Sequence, residues 1–546
     1  MDQFSIADHP EIAKLFGRQQ GEQAVGGAYE GAERTNRALA SFNAPSRSAD
    51  ADLLHEKRTI DARARHLGRN DAYVQAGMKI HQDTVVGGQY VLALDPAFSV
   101  LGLDEKWAEE FQEEVEAKFQ LAADSPNNWF DAGRRMDFVG LIRLAVGVGV
   151  YCGEALATAE WIRDNTRPFN TAVQMIDLDR LSNPNQQPPN AVMRGGVERD
   201  SMGRPVAYHI RTQHPGDFGM LWSPNARPFE WKRVPAYKPW GRIQVIHAYE
   251  PERPDQSRGV SELVSAMKEM HITRKFRELV LQSAAVQASF AASIESELPT
   301  QAVYEMLGGG NVDGAGQAVV DFASAYMSAI DQYAGAARNT MLDGVKLPHL
   351  FPGTKLHVEP LGNPGGVGTD FEKSLIRYIA ASLNVSYEEL SRDFSESNYS
   401  SARAGLLNTH RASRARKRYF ADFMANHIFR LWLEEMLNRP GEITSMPRNP
   451  PSWYEGMNFE AYSRATWVGA GYGQIDELKE TQAASQRVLN NLSTLEEEYR
   501  RAGRDWRREL RQRGREAKLV KELGLEVKPQ DNAQNAASGT PKEKAA

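Results

Sequence analysis

The stretch Arg258–Ser293, RGVSELVSAMKEMHITRKFRELVLQSAAVQASFAAS, decides how the 546-residue chain is to be read. It holds no proline, and Leu263, Met267, Met270, Phe276, Leu279, Ser283, Val286 and Phe290 keep a helical period, which predicts one long helix. At 1.5 Å rise per residue such a helix reaches roughly 50 Å. Beyond Pro299 the chain is punctuated by glycine over 300–366, with a short helix expected near 318–336, a strand at Lys355–Val358, and NPGGVG as the close. Thr369 then opens a second helix, with Glu372 at capping-box spacing and Phe371, Leu375, Tyr378, Ile379 and Leu383 on one face. A polar stretch, Ser391–Ser401, leads into a further long helix from about Ser400 to Leu437. Phe420, Phe423, Met424, Ile428 and Leu431 carry its period, and Arg439-Pro440-Gly441 stops it.

Upstream, residues 1–28 are Gly- and Gln-rich and read as a mobile arm, and 29–90 as helix, loop, helix, broken near Ser46, Ser48 and Asp50. Trp107, Phe111, Val115 and Phe119 recur every four residues and make one apolar helix stripe. A third helix runs from about Met136 into Val146–Val150. The character changes over 170–250, where TAVQMIDLDRL (171–181), PVAYHIRT (205–212) and RIQVIHAYE (242–250) are short β-rich runs between turn-forming segments. After a charged surface helix pair expected over 476–523, the tail from Val527 is Ala-, Asn- and Lys-rich and reads as disordered. The fold class is α+β, mainly helical.

Lys+Arg 65 against Asp+Glu 71 leaves a formal charge of −6, which argues against a protein that coats nucleic acid. The single cysteine, Cys152, excludes an internal disulfide and a cysteine-based zinc knuckle, and suits a reducing compartment. The opening MDQFSIADHPEIAKLF lacks the order of a secretory signal, and the most apolar run, Val139–Cys152, is short and broken by Arg143. A soluble intracellular protein with no membrane contact is expected.

Chemistry is sparse. GVGVYCG (147–153) places its third glycine one residue late for a dinucleotide loop, so close packing is the better reading. GGGNVDGAG (308–316) lacks the Gly-Lys-Ser/Thr ending of a phosphate loop. No histidine pair has zinc-helix spacing, no G-x-S-x-G elbow occurs, and Cys152 sits in an apolar run as a buried inert thiol would. Asp177 and Asp179 would share one face of a strand, either as metal-binding carboxylates or as its solvent side. Arg403, Arg411, Arg414, Arg416, Lys417 and Arg418 lie on one helical stretch without an acid among them. Phosphates, acids of a neighbouring subunit, or water are all readings of that cluster. No catalytic residue, metal or cofactor is expected.

Several phrases resemble the portal (head–tail connector) proteins of lambda-type tailed bacteriophages. They are ARARHLGRNDAYVQAGMKIHQDTVVG (62–87), HAYEPERPDQSRGVSEL (247–263), LIRYIAASLNVSYEELSRDFSESNYSSARAGLL (375–407) and ATWVGAGYGQIDELKE (465–480). The third is the nearest, above all Asn398-Tyr399-Ser400-Ser401-Ala402-Arg403. No such phrase falls between 295 and 365.

The resemblance implies a ring-forming subunit, in mature virions one of twelve, around a channel for double-stranded DNA. It places a wing over 29–257, stem helix 1 over 258–294, a clip over 295–366 and stem helix 2 over 367–385. A tunnel loop follows over 386–401, a wing helix and return over 402–470, and a crown over 471–525, between the 1–28 arm and the 526–546 tail. In that arrangement Arg392, Asp393, Ser395, Glu396, Asn398 and Tyr399 face the DNA, and Lys268, Lys275, Glu278, Glu372 and Lys373 are candidates for the channel lining. Implied partners are further copies of the chain, the DNA, the terminase large subunit, head-completion or adaptor proteins, and the major capsid protein with scaffold. The implied location is the portal vertex of the virion, with assembly in the host cytoplasm. Two alternatives stand beside it: a metal-dependent DNA-processing enzyme using Asp177 and Asp179, and a minor head or adaptor protein without a channel.

Overall fold

The computed structural model describes residues 44–217, 230–290, 367–395, 398–471 and 476–525, with isolated positions at 39, 41–42, 324, 328, 340–342, 345–347 and 473. The arm over 1–28, the helix near 318–336, the strand at Lys355–Val358, GGGNVDGAG and the tail over 526–546 therefore lie outside the described residues, apart from positions 324 and 328. So does the clip over 295–366, except for those two positions and an antiparallel strand pair, Thr340–Leu342 with Val345–Leu347.

The architecture is mainly helical α+β, and its largest core gathers on the four-spaced aromatic stripe. Helix Glu105–Ala123 is capped by Asp104, whose side chain accepts from the Trp107 N–H, and it buries Trp107, Phe111, Val115 and Phe119. Phe119 lies edge-on to Phe138, Phe429, Trp432 and Trp467 at centroid distances of 5.2–5.7 Å. Each such fully buried side chain is worth ~1.5–3 kcal/mol. Those rings arrive from helix Phe138–Cys152, from helix Phe423–Asn438, and from strand Ala465–Val468, which pairs antiparallel with Val91–Leu94. One cluster of rings thus fastens the C-terminal third of the chain to its first third.

The β-rich region forms two antiparallel sheets. In the three-stranded sheet Glu154–Trp161 is central, with Leu156 opposite both Ile176 of Thr171–Ile176 and His247 of Val245–Tyr249. The four-stranded sheet runs Met193–Arg194, Val197–Arg199, Pro205–Arg211, Trp231–Pro235. A second cluster packs helix Lys57–Asn70 and helix Ala72–Val85 against Leu263, Ala266, Met270, Ile376, Ile379 and Leu383.

Four local expectations change. The long helix starts at Met267 after a 3₁₀ turn, Val264–Ala266, rather than at Arg258. Residues 257–261 are drawn into the protein interior instead, where buried Glu154 holds Arg258 and the Gly259 N–H, and the backbone passes so close that a Cβ on Gly259 would lie 2.1 Å from the Gly153 carbonyl oxygen. The second helix begins at Val367, two residues before Thr369. The expected helix over 400–437 is Tyr399–Arg416 and Phe423–Asn438 joined by a π-helical segment, Lys417–Asp422. The helix pair expected over 476–523 is three helices, Glu477–Leu489, Leu495–Arg501 and Trp506–Glu522, none with a buried residue.

The glycines of GVGVYCG serve packing. A Cβ on Gly147 would meet Gln82, one on Gly149 would meet Phe420, and Gly153, at φ +73°, ends its helix against Val260.

Candidate functional site

The Met267–Phe290 and Val367–Ser382 helices run antiparallel: Phe276 packs on Phe371 at 5.7 Å, Arg277 pairs with Glu372, and the Tyr378 hydroxyl donates to the Ser265 carbonyl. Arg277 also donates to the Tyr73 hydroxyl at 2.7 Å and lies over that ring. From residue 271 to 282 only Thr273 is buried. Ile272, Leu279, Val280, Leu281, Phe371 and Tyr378 are exposed, Leu281 at 70% and Leu279 at 54%. Lys268, Lys275 and Glu278 are exposed, whereas Glu372 is committed to Arg277 and Lys373 is partly buried with a partner of its own.

The root of this pair is held by a buried ion network that sequence reading missed. Glu154 opens the central strand and is fully buried. Arg258 Nη2 lies 2.6 Å from its Oε1, Lys57 Nζ 3.2 Å from the same atom, His247 Nε2 2.9 Å from Oε2, and the Gly259 N–H donates to Oε2 at 2.9 Å. Burial alone pushes Glu154 up, but Arg258, Lys57 and His247 outweigh it and hold the carboxyl well below the usual range. Arg258 spends its Nη1 on the carbonyls of Leu181 and Gly195, and Lys57 also holds Asp61 and donates to the Cys152 carbonyl. Asp50 accepts from the Ser257 N–H at 2.8 Å and from its hydroxyl at 2.7 Å. Nothing local marks Glu154 as the centre, since its partners lie about a hundred residues away on either side.

A second tie joins the helix root to the Tyr399–Arg416 helix. Arg416 pairs with Glu262 and donates to His81, whose Nε2–H donates to the Leu383 carbonyl at 2.7 Å. Burial first, then Arg416, lower His81 to about 3, so it stays neutral. Arg416 is therefore buried and Lys417 is paired with Asp422. The six-residue cation cluster is split, with Arg403, Arg411, Arg414 and Arg418 on the surface.

Between the helices the polar stretch is shorter than expected. Ser386 caps a one-turn helix, Tyr387–Ser391, that buries Leu390, so the described loop residues are 392–395 and 398. Arg392 ends that turn at φ +59° with its side chain exposed. Asp393 accepts from the Ser395 N–H at 3.0 Å and hydroxyl at 2.6 Å, bonds that keep its carboxyl below the usual value. Asn398 and Ser401 form a reciprocal capping box that starts the next helix at Tyr399. Glu396 and the Tyr399 side chain lie outside the described residues.

Asp177 and Asp179 do not share a strand face. The strand stops at Ile176, and Asp177 caps a 3₁₀ turn, Leu178–Arg180. With His214 they bring three ligand atoms within 4.8 Å, but Arg65 already sits 2.5 Å from Asp179 and 3.6 Å from Asp177. That guanidinium takes the place a cation would fill. Burial, then Asp61, pushes the Cys152 thiol up to about 12, so it is unreactive. Among the described residues no helix is long and apolar enough to cross a membrane.

These features define a mainly helical α+β subunit whose antiparallel helix pair, rooted in a buried ion network, carries an uncovered apolar surface. Residues 35–417 match the family model described as phage portal protein, lambda family. The chain is 33% identical over 488 residues to portal protein B of Escherichia phage lambda, covering 89% of this chain and 88% of that one. It is also 33% identical over 489 residues to the portal protein of Escherichia phage N15, with 89% of each covered. The chain belongs to the lambda family of phage portal proteins. Among solved structures, a chain of the neck of a native gene transfer agent particle, computed with C12 symmetry, matches at 11% identity and TM-score 0.35, over 86% of this chain and 99% of its own.

Proposed function

We propose that this chain is a non-enzymatic portal subunit, twelve copies of which close into a ring at one capsid vertex. Double-stranded DNA enters and leaves through that ring. The observation that carries the reading is the helix pair of a portal-family chain with Leu279, Val280, Leu281 and Phe371 turned out of its own core. Exposed apolar surface on that scale is ordinarily covered by a partner, and neighbouring copies supply it in a ring. The pair serves as the stem, with Lys268, Lys275 and Glu278 available to the channel lining. The 295–366 segment serves as the clip that docks the terminase large subunit and later the head-completion proteins. The body around Phe119 is the wing, facing capsid protein and scaffold, and residues 476–525 form the crown.

The loop over 392–398 approaches the DNA. A translocating duplex must slide, and each neutralised phosphate adds a salt-dependent hold. Asp393, kept ionised by Ser395, repels phosphate, and Arg392 moderates that repulsion. The exposed Arg403, Arg411, Arg414 and Arg418 serve contacts between subunits.

Incubating the purified protein with plasmid and Mg²⁺ or Mn²⁺ tests the reading, alongside native mass measurement. A ring mass with intact plasmid is expected. Cleavage abolished by Asp177→Ala would replace the portal reading with an enzymatic one.

A further inference from the structure

Between helix Lys57–Asn70 and the four-stranded sheet lies a pocket of about 310 Å³, lined among others by Arg58, Asp61, Asp179, Ser182, Arg211 and Arg258. Its charges balance with two exceptions. Asp61 is taken by Lys57, Asp179 by Arg65 and His214, and Arg258 by Glu154. Arg211 and Arg58 have no acid paired with them among the described residues. Arg211 is only 7% exposed, and its Nε has no hydrogen-bond partner. Its guanidinium is stacked 4.7 Å over Trp231, whose indole N–H donates to the Ser182 hydroxyl, so the group is held in place. Burial, and then repulsion from Arg58, lower its affinity for a proton.

A buried guanidinium without a counter-charge is costly, and a like charge beside it raises the cost. The planar fork of arginine matches oxyanions in bidentate fashion, and a second arginine at the mouth gives the same ligand a second contact. We propose that this pocket binds a small oxyanion, a phosphate or carboxylate group, between Arg211 and Arg58. At 7% exposure Arg211 is beyond the reach of a duplex backbone, so the ligand is a free anion or the tip of an acidic side chain from another protein.

The test is titration of the full-length protein with inorganic phosphate and, separately, with acetate, read by calorimetry and by Trp231 emission against a Trp231→Phe control. Saturable binding that weakens at least about tenfold in Arg58→Gln is expected, since a charge-assisted contact is lost. Arg58 is exposed, so that variant folds. Arg211→Met, checked for folding by circular dichroism, should abolish binding. Phosphate binding alone assigns a free tetrahedral anion, and acetate binding assigns a side-chain carboxylate. No saturable binding of either anion, or binding unchanged in both variants, would overturn the proposal. Neither result bears on whether the chain forms a ring.

Discussion

The root and the shaft of the helix pair are built on opposite terms. At the root the central charges are paired: Glu154 meets Arg258, Lys57 and His247, Asp50 meets Ser257, and Arg416 meets Glu262. Along the shaft, from Ile272 to Leu281, the apolar side chains of Ile272, Leu279, Val280 and Leu281 are exposed among the described residues. The root is held together within one subunit, whereas in the proposed ring the shaft would be covered by neighbouring copies.

The largest effect is expected at the root. Glu154→Gln leaves Arg258 and Lys57 buried without their shared counter-charge and should cost about 3–5 kcal/mol, measured as urea unfolding of the isolated subunit. A loss below about 1 kcal/mol would show that the network is dispensable. On the shaft, Leu281→Asp should leave subunit stability within about 0.5 kcal/mol, because the side chain is 70% exposed, and yet abolish the ring in sedimentation velocity. If the ring persists, the contrast between the regions fails.

A third outcome sharpens the account of the second tie. His81 is neutral in the folded state and lowered to about 3 from an unfolded value near 6.5, so the unfolded chain binds the extra proton first. Its contribution is fully present above about pH 6.5 and is lost as pH falls towards 3, with a slope of up to about 1.4 kcal/mol per pH unit. His81→Gln should flatten that part of the stability profile. The smallest effect on stability is expected in the loop: Tyr399→Ala should leave the ring intact and impair packaging or DNA retention. Loss of the ring would make the loop a subunit contact.

What the sequence discloses depends on the range of the interaction. The stripe Trp107, Phe111, Val115, Phe119 is legible because a helix repeats its own signal, and the helix–insert–helix order around 258–385 is legible for the same reason. Arg258 is misread as helical because Glu154, 104 positions upstream, claims its side chain and pulls the backbone inward. Arg416 is misplaced among surface cations because Glu262 and His81 reach it only in the fold. The π segment at Lys417–Asp422 is silent, since the apolar period continues on both sides of it. Motif likeness marks 386–401 as one loop and carries no sign that its first third is a capped helix burying Leu390.

The most direct measurement is a view of the purified particle down its axis by electron microscopy. Twelve subunits around an opening wide enough for duplex DNA, with paired helices along the bore, is the predicted picture. Monomers at every concentration and salt, or a closed disc with no opening, would contradict it.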